Sequence, residues 1–166
     1  MSRWTIPEDI TGKPVGEAVN LYHSQFGWVI HPVERPAKGG KKPLTKGWKK
    51  LDPSFLAEEL AKEYFHCDPP YNIGCVIRPP HVVIDLDSKQ DDGESVIEWL
   101  NSRHELTSIP RERTGGGVHI HVRCDDLPVF KKAGGKPYEK ALVASLNEQV
   151  TAELYFDGLN LVLSPS

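Results

Sequence analysis

Several features that mark particular classes of protein are scarce or missing in this sequence of 166 residues. Its three cysteines, Cys67, Cys75 and Cys124, form no CxxC pair, so they read as reduced thiols, with zinc binding beside His66 as the alternative. No apolar run approaches the ~20 residues needed to span a bilayer, and the N-terminus lacks the apolar segment of a signal peptide. We therefore expect a cytoplasmic protein that does not engage a membrane.

An excess of positive charge is also missing, because the net charge is −3. The charges are nevertheless segregated along the chain: residues 34–50 and 111–140 are rich in lysine and arginine, whereas acids collect in 58–63 and 85–98. This separation predicts a basic groove for a polyanion beside an acidic pocket. A solvated lysine-rich loop is the alternative interpretation of 34–50.

The order of predicted elements favours a single α+β domain with a largely antiparallel sheet, because strands and helices mix without strict βαβ alternation. Apolar alternation and turn residues predict the elements of this fold. Helices are expected after residue 13, from Asp52, over 94–106 and over 138–147; strands are expected over 26–30, 72–77, 81–86 and 118–123, with 72–77 and 81–86 as a possible hairpin and 151–163 as a second one.

A β-branched apolar run ends in two acids, Asp85 and Asp87, separated by one residue. Side chains alternate along a strand, so both carboxylates should point to one face, roughly 6–7 Å apart. Hard divalent ions such as Mg²⁺ and Mn²⁺ prefer carboxylate oxygens. The pair therefore suggests a metal site, with an ordinary turn after the strand as the alternative.

A glycine-rich loop leads into the strand that contains His119 and His121. Glycines expose backbone N–H groups and let a phosphate approach closely, and a histidine can donate to a phosphate oxygen. Fixed positive charge brackets the loop. The predicted nucleotide-binding residues here are Arg111, Arg113, Thr114, Gly115, Gly116, Gly117 and His119. No Gly-Lys-Thr/Ser follows, so the loop is not a P-loop.

Taken in order, these features and a later acid resemble the primase-polymerase (Prim-Pol) branch of the archaeo-eukaryotic primase superfamily. That family has an acid-x-acid strand end, a small-x-His strand start after glycines, and a third acid near a Gly turn. The matching residues are Asp85-Leu86-Asp87, Gly117-Val118-His119, Glu153 with Asp157-Gly158, Ser164-Pro165-Ser166, and upstream Gly27 to Pro32, Lys41-Lys42-Pro43, Gly47-Trp48 and Asn72 to Cys75.

The resemblance implies an RRM-like sheet over about 71–166 that carries the active site, packed against a smaller N-terminal α/β module over about 1–70. It implies template-directed nucleotidyl transfer from dNTPs or NTPs on single-stranded DNA, with two Mg²⁺ or Mn²⁺ ions and no organic cofactor. Asp85, Asp87 and Glu153 would bind the metals, and His119 and Ser166 would bind the nucleotide. The bacterial, plasmid or phage replication context and a fused or associated helicase are further expectations.

The predicted nucleic-acid contacts are phosphate-directed lysines and one aromatic side chain. A lysine contacting phosphates gives sequence-independent, salt-sensitive binding, and a tryptophan can stack on a base, although an apolar anchor for the loop is an equal alternative for Trp48. The residues are Lys41, Lys42, Lys46, Trp48, Lys131 and Lys132.

Two other functions fit part of the pattern. His119-Ile120-His121 matches the His-hydrophobe-His signature of rolling-circle nickases, with Tyr138 or Tyr155 as nucleophile, but no Tyr-x-x-Lys follows and the two acids stay unexplained. A non-catalytic nucleotide- or nucleic-acid-binding module is the third possibility.

Overall fold

The computed structural model describes residues 6–7, 9–35, 37, 40–106, 109–126 and 140–165, with only the backbone of 140–143. The α-helices are α1 (Val15–Val19), which continues as a π-helical turn over Asn20–Gln25, α2 (Glu58–Phe65) and α3 (Glu94–Asn101). The strands are β1 (Val29–Val33), β2 (Asn72–Ile77), β3 (His81–Ser88), β4 (Arg111–Arg113), β5 (Gly117–Arg123), β6 (Lys140–Ser145), β7 (Val150–Tyr155) and β8 (Leu159–Leu163). Short 3₁₀ turns cover Ile10–Gly12, Trp48–Lys50, Pro53–Phe55 and His104–Leu106.

The three-stranded sheet has the order β1-β2-β8, with β1 antiparallel to β2. Pro32 lies within β1, where it is tolerated because an edge strand does not need every N–H for pairing. Tyr22 is fully buried, stacks on Trp28 with ring centroids 5.2 Å apart, and donates its hydroxyl proton to the Ser164 carbonyl at 2.9 Å. The residues after β8 are thereby tied to the turn that follows α1.

The five-stranded sheet has the order β4-β5-β3-β7-β6, and every neighbouring pair is antiparallel. One face of this sheet is apolar and packs against α3. Its core contains Leu86, Val118, Ile120, Val150 and Ala152 from the strands and Val96 and Leu100 from the helix. The α+β prediction with largely antiparallel sheets is confirmed.

The chain divides into two compact units, Met1–Val76 with Asn160–Ser166, and Ile77–Leu159. The three-stranded sheet belongs to the first unit and the five-stranded sheet to the second. The single-domain assignment with modules near 1–70 and 71–166 remains a prediction, and residues 160–166 group with the N-terminal unit here.

Three local predictions are wrong. The helix expected over 138–147 is strand β6 over its described part, because Asn147 closes a tight turn into β7: the Asn147 side chain accepts from the N–H groups of Gln149 at 2.8 Å and Val150 at 2.7 Å. Neither predicted hairpin forms, since β2 and β3 lie in different sheets, as do β7 and β8.

The helix predicted from Asp52 begins later than expected. Asp52 caps a 3₁₀ turn by accepting from the Ser54 N–H at 2.8 Å, and α2 starts only at Glu58. Within the described part of the chain, no helix is long and apolar enough to cross a bilayer.

Candidate active site

The two acids of the Asp-x-Asp motif lie on β3, the central strand of the five-stranded sheet. Leu86, between them, is buried in the core beneath α3. Because neighbouring side chains in a strand point to opposite faces, this burial directs Asp85 and Asp87 to the other face. Burying a leucine contributes about 1.5–3 kcal/mol, so the orientation of both carboxylates is set by packing on the far side of the sheet.

One cross-strand row brings the predicted residues together. Asp85 pairs with His119 on β5 and with Glu153 on β7, and His119 in turn pairs with Glu112 on β4. Directly opposed residues share a face and have Cβ atoms roughly 4.5–5.5 Å apart. The structure therefore places Asp85, Glu153 and His119 side by side, with Asp87 two residues along the same face.

Tyr155 links two of the acids. Its hydroxyl donates to Asp85 Oδ2 at 3.2 Å and lies close enough to Glu153 for that carboxylate to influence it. Burial and the charges of Asp85 and Glu153 raise the pKa of Tyr155 well above its usual value, so the phenol stays protonated. A protonated phenol held by two carboxylates is a poor nucleophile, which disfavours Tyr155 as the attacking residue of a nickase.

His119 is buried between two carboxylates. Its Nδ1 lies 2.9 Å from Glu112 Oε1, and its Nε2 lies 3.6 Å from Asp85 Oδ1. Burial by itself would lower the pKa of His119, but the hydrogen bond and charge of Glu112 and the charges of Asp85 and Asp87 outweigh it, and the pKa is raised. The ring is thus inclined to carry a proton on both nitrogens beside the acids.

A buried polar chain continues behind His119. His121 Nε2 lies 3.4 Å from the same Glu112 oxygen, and His121 Nδ1 lies 2.9 Å from His81 Nε2. Burial raises the pKa of Glu112 less than the two histidine hydrogen bonds lower it, leaving it at about 2. Burial lowers the pKa of His121, and burial together with His121 lowers that of His81 well below its usual value.

Among the described residues, Glu112, His119 and His121 form a group whose ligand atoms all lie within 4.8 Å of one another, which is compatible with holding a metal ion. The acids Asp85, Asp87 and Glu153 form a separate all-carboxylate set on the same face, the chemistry that Mg²⁺ and Mn²⁺ prefer.

The glycine loop closes tightly onto the end of β3. Thr114 N–H donates to the Gly117 carbonyl at 2.9 Å, Gly117 N–H donates to Thr114 Oγ1 at 3.0 Å, and Ser88 N–H donates to the Gly116 carbonyl at 3.0 Å. A Cβ on Gly117 would overlap the Leu86 carbonyl, and one on Gly116 would overlap the Asp87 carboxylate. Glycine is therefore required for this loop to lie against the acids, whereas Gly115 is exposed with open space around it.

Arg111 and Arg113 are not brought to the acidic face. They alternate with Glu112 on β4 and pair with Ile120 and Val118, which face α3. Arg113 forms an ion pair with Glu94 in the first turn of α3. The expected loop is partly a strand, and its alternation places both arginines on the face opposite Glu112. Their role in nucleotide binding beside the glycine loop remains a prediction.

The predicted nucleic-acid residues that are described lie in the N-terminal unit. Lys41, Lys42 and Lys46 are exposed, and Trp48 is half-buried with its ring stacked on that of His31 at a centroid distance of 5.8 Å. The stack supports the anchoring alternative for Trp48. Lys131, Lys132, Tyr138 and Ser166 lie outside the described residues.

Sequence reasoning missed two members of this face, Glu112 and His81, and considered Tyr155 only as the nucleophile of a nickase. Glu112 was detectable in principle: a four-residue loop over 114–117 pairs residue 113 with 118 and residue 112 with 119. This pairing could be predicted only if Arg111–Arg113 were recognised as a strand, and three residues are too few to show the alternation of a strand.

The cysteines are placed apart from this face of the sheet. Cys67 accepts a contact from Arg35 Nη2 at 3.9 Å and is half-buried, Cys75 is buried in β2, and Cys124 is half-buried after β5. The possible zinc site beside His66 gains no geometric support among the described residues, where the metal-compatible group is the one on β4 and β5.

Comparison with protein-family models identifies the family of this chain. No curated protein matches the chain significantly. The protein-family model described as "Bifunctional DNA primase/polymerase, N-terminal" matches residues 20–166, which include every strand of both sheets and all the acids of the row. This match covers well over half of the sequence, so the chain belongs to the Prim-Pol family.

Proposed function

We propose that this Prim-Pol chain catalyses template-directed nucleotidyl transfer from (d)NTPs to a primer 3′-hydroxyl or an initiating nucleotide. The observation that carries the proposal is the row in which Asp85 faces Glu153 on one side and His119 on the other, with Asp87 on the same face. Two acids of β3, one acid of β7 and a histidine of β5 therefore share one face of the sheet.

Asp85, Asp87 and Glu153 are the proposed ligands of two Mg²⁺ or Mn²⁺ ions. Their fit rests on the donor set, which is all carboxylate, and on the cross-strand pairing of Asp85 with Glu153, beside which Tyr155 donates to Asp85. When bound, such ions would lower the pKa of the attacking hydroxyl and offset charge on the leaving pyrophosphate.

The remaining residues of the site bind and orient the nucleotide. His119 directs Nε2 towards Asp85, its pKa is raised, and it is proposed to donate from Nε2 to a triphosphate oxygen. The loop over 114–117 lies against Asp87 at Gly116, and at Gly115 it leaves open space through which a triphosphate is proposed to approach. Lys41, Lys42 and Lys46 are proposed to contact phosphates of the DNA.

Primer-extension and primer-free synthesis assays with labelled nucleotides, run separately with Mg²⁺ and Mn²⁺, test the proposal. We expect Asp85→Asn, Asp87→Asn and Glu153→Gln each to lower incorporation by more than about 100-fold, because each removes a charged ligand. Glu98→Gln, on the exposed side of α3, is the matched control and should retain wild-type rates.

Wild-type incorporation by any of the three variants would refute the metal assignment. Failure of the wild-type chain to incorporate nucleotides with either ion would favour the non-catalytic alternative. A covalent 5′-phosphotyrosyl adduct with single-stranded DNA would instead identify a nickase.

A further inference from the structure

Glu112 is a fully buried carboxylate in a strand of three residues, flanked by two arginines that point the other way. Burying a carboxylate is unfavourable unless it is paired and hydrogen-bonded. Its Oε1 accepts from His119 Nδ1 at 2.9 Å and lies 3.4 Å from His121 Nε2. An apolar side chain would fill this space without the free-energy cost of burying a charge. The reason for an acid at this position must therefore lie in its contacts with His119 and His121.

The contact with Glu112 fixes the orientation of the His119 ring. With Nδ1 held by the carboxylate, Nε2 is the nitrogen directed at the acidic row, where it lies 3.6 Å from Asp85 Oδ1. A hydrogen bond to one imidazole nitrogen determines what the other can do, as it does for histidines oriented by carboxylates in metal and catalytic sites. Rotation of the ring would exchange these roles.

The far side of Glu112 is also held. His121 approaches the same oxygen, and His121 is in turn fixed by His81 on β3, whose Nε2 lies 2.9 Å from His121 Nδ1. Both histidines are buried, His121 at 1% exposed and His81 at 6%. The carboxylate is thus confined between two rings of β5 and has little freedom to follow His119 if that ring turns.

We propose that Glu112 is a positioning residue for nucleotide binding: it holds His119 with Nε2 towards the acids and so sets affinity for the triphosphate without touching it. This inference rests on the proposed function of His119. It assigns a role to a residue outside the three acids and the glycine loop, and it attributes nucleotide affinity to a carboxylate that would otherwise repel the substrate.

The test compares two substitutions of nearly equal size, Glu112→Gln and Glu112→Met. The glutamine carbonyl can still accept from His119 Nδ1, whereas methionine offers no comparable acceptor. We expect Glu112→Met to weaken binding of a non-hydrolysable nucleotide by about 10- to 100-fold relative to wild type, and Glu112→Gln to recover much of that loss. In synthesis assays the change should appear in KM for the nucleotide more than in kcat.

The same two substitutions in a His119→Ala background separate positioning from general packing. If Glu112 acts through His119, neither substitution should weaken nucleotide binding further once the ring is gone. Glu98→Gln serves as the control. Equal affinities for the Gln and Met variants, or a further loss caused by Met in the His119→Ala background, would overturn the proposal.

A readout without nucleotide or activity completes the design. Long-range ¹H–¹⁵N spectra of the histidine rings, recorded on the metal-free chain, should show a hydrogen-bonded Nδ1 proton on His119 that is lost in Glu112→Met. Unchanged His119 signals would overturn the positioning role even if synthesis is observed. Their loss in a chain that never polymerises would refute the proposed function alone. Stoichiometric zinc lost on Glu112→Gln would also overturn the proposal, because the carboxylate would then be a metal ligand.

Discussion

Tyr155 is the residue that connects the acids of the site to each other. Its hydroxyl donates to Asp85 beside Glu153, two acids from neighbouring strands, and it stays protonated because burial and both charges raise its pKa. A neutral donor between two like charges reduces their repulsion and restricts their rotamers. The hydroxyl thereby helps to keep the two carboxylates arranged to bind a cation.

Tyr155→Phe removes this donor and leaves the ring. We expect Mn²⁺ affinity to fall about 10-fold, because partners outside the ligand set typically contribute 10- to 100-fold. Calorimetric titration of Mn²⁺ into the wild type and the variant measures the change, with thermal unfolding as a check on the fold. An unchanged dissociation constant would show that the hydroxyl does not organise the acids.

Two buried histidines predict how stability depends on pH. Burial lowers the pKa of His81 and His121, so their contribution is present above the unfolded-state value of about 6.5 and is lost as the pH falls towards the folded values. We expect the free energy of unfolding to decrease as the pH falls from about 7 to 5, by up to about 1.4 kcal/mol per pH unit for each histidine that stays neutral when folded.

Denaturant unfolding at several pH values measures this slope. His81→Gln should flatten it, whereas His104→Gln, at an exposed position, should leave it unchanged. His119 has the opposite sign, since its pKa is raised: its contribution is present below about pH 6.5 and is lost above that value. A slope that His81→Gln does not alter would contradict the assignment.

The β4–β5 loop and the end of β3 form one element-level unit. Gly117 lies against the Leu86 carbonyl so closely that no side chain fits, and Gly115 two residues earlier meets nothing within 4 Å. Packing therefore requires glycine at position 117, whereas the space around position 115 would admit a side chain.

Gly117→Ala should lower the free energy of unfolding by about 1–3 kcal/mol, because β5 must move away from β3 to admit the methyl group. Gly115→Ala is the matched control and should be nearly neutral. Chemical denaturation of both variants tests this pair. Equal stability of the two variants would mean that the loop adapts without displacing the strand.

The sequence was informative where one element carries its own pattern. Asp85, Leu86 and Asp87 predicted the strand and the shared face of the acids, because alternation is local. The position of Glu153 opposite Asp85 followed only from the family resemblance, since register between β3 and β7 depends on pairing across more than 60 residues. β4 was not predicted because three residues are too few to show an alternating pattern. Without this strand, neither the position of Glu112 nor the orientation of the two arginines could be predicted.

The misplaced hairpins have a different cause. Turn residues at Arg78-Pro79-Pro80 and Asp157-Gly158 correctly marked the places where one strand ends before the next, but they do not reveal that the two strands enter different sheets. The sheet that a strand joins depends on which hydrophobic core can bury its apolar side chains, such as the core beneath α3. The residues of the strand and its turn alone do not predict which core that is.

At the scale of the whole molecule, the lysines proposed to bind DNA and the acids proposed to bind metal belong to different compact units. Lys41 and Lys42 are exposed in the N-terminal unit, whereas the acidic row lies in the unit over Ile77–Leu159. A net charge of −3 is therefore compatible with a locally basic surface on one of the two units.

Lys41→Ala combined with Lys42→Ala should weaken single-stranded DNA binding and reduce the slope of log K against log salt by about 1–2, because each phosphate contact contributes about 0.7. Lys13→Ala with Lys62→Ala removes the same charge from lysines that are paired with acids, and is the matched control. Fluorescence anisotropy across a salt series measures both. Equal slopes for the two double variants would exclude these lysines from the contact.

The strand β8 joins the sheet of β1 and β2 although more than 80 residues separate it from β2. The unit with the acidic row is therefore an insertion within the other unit, and the ribosome releases all of its strands before the last strand of the first sheet emerges. During synthesis the acid-bearing sheet can assemble while β1 and β2 still await their partner. A stop codon just after Tyr155 would accordingly spare every strand of the inserted unit and leave the outer one unfinished.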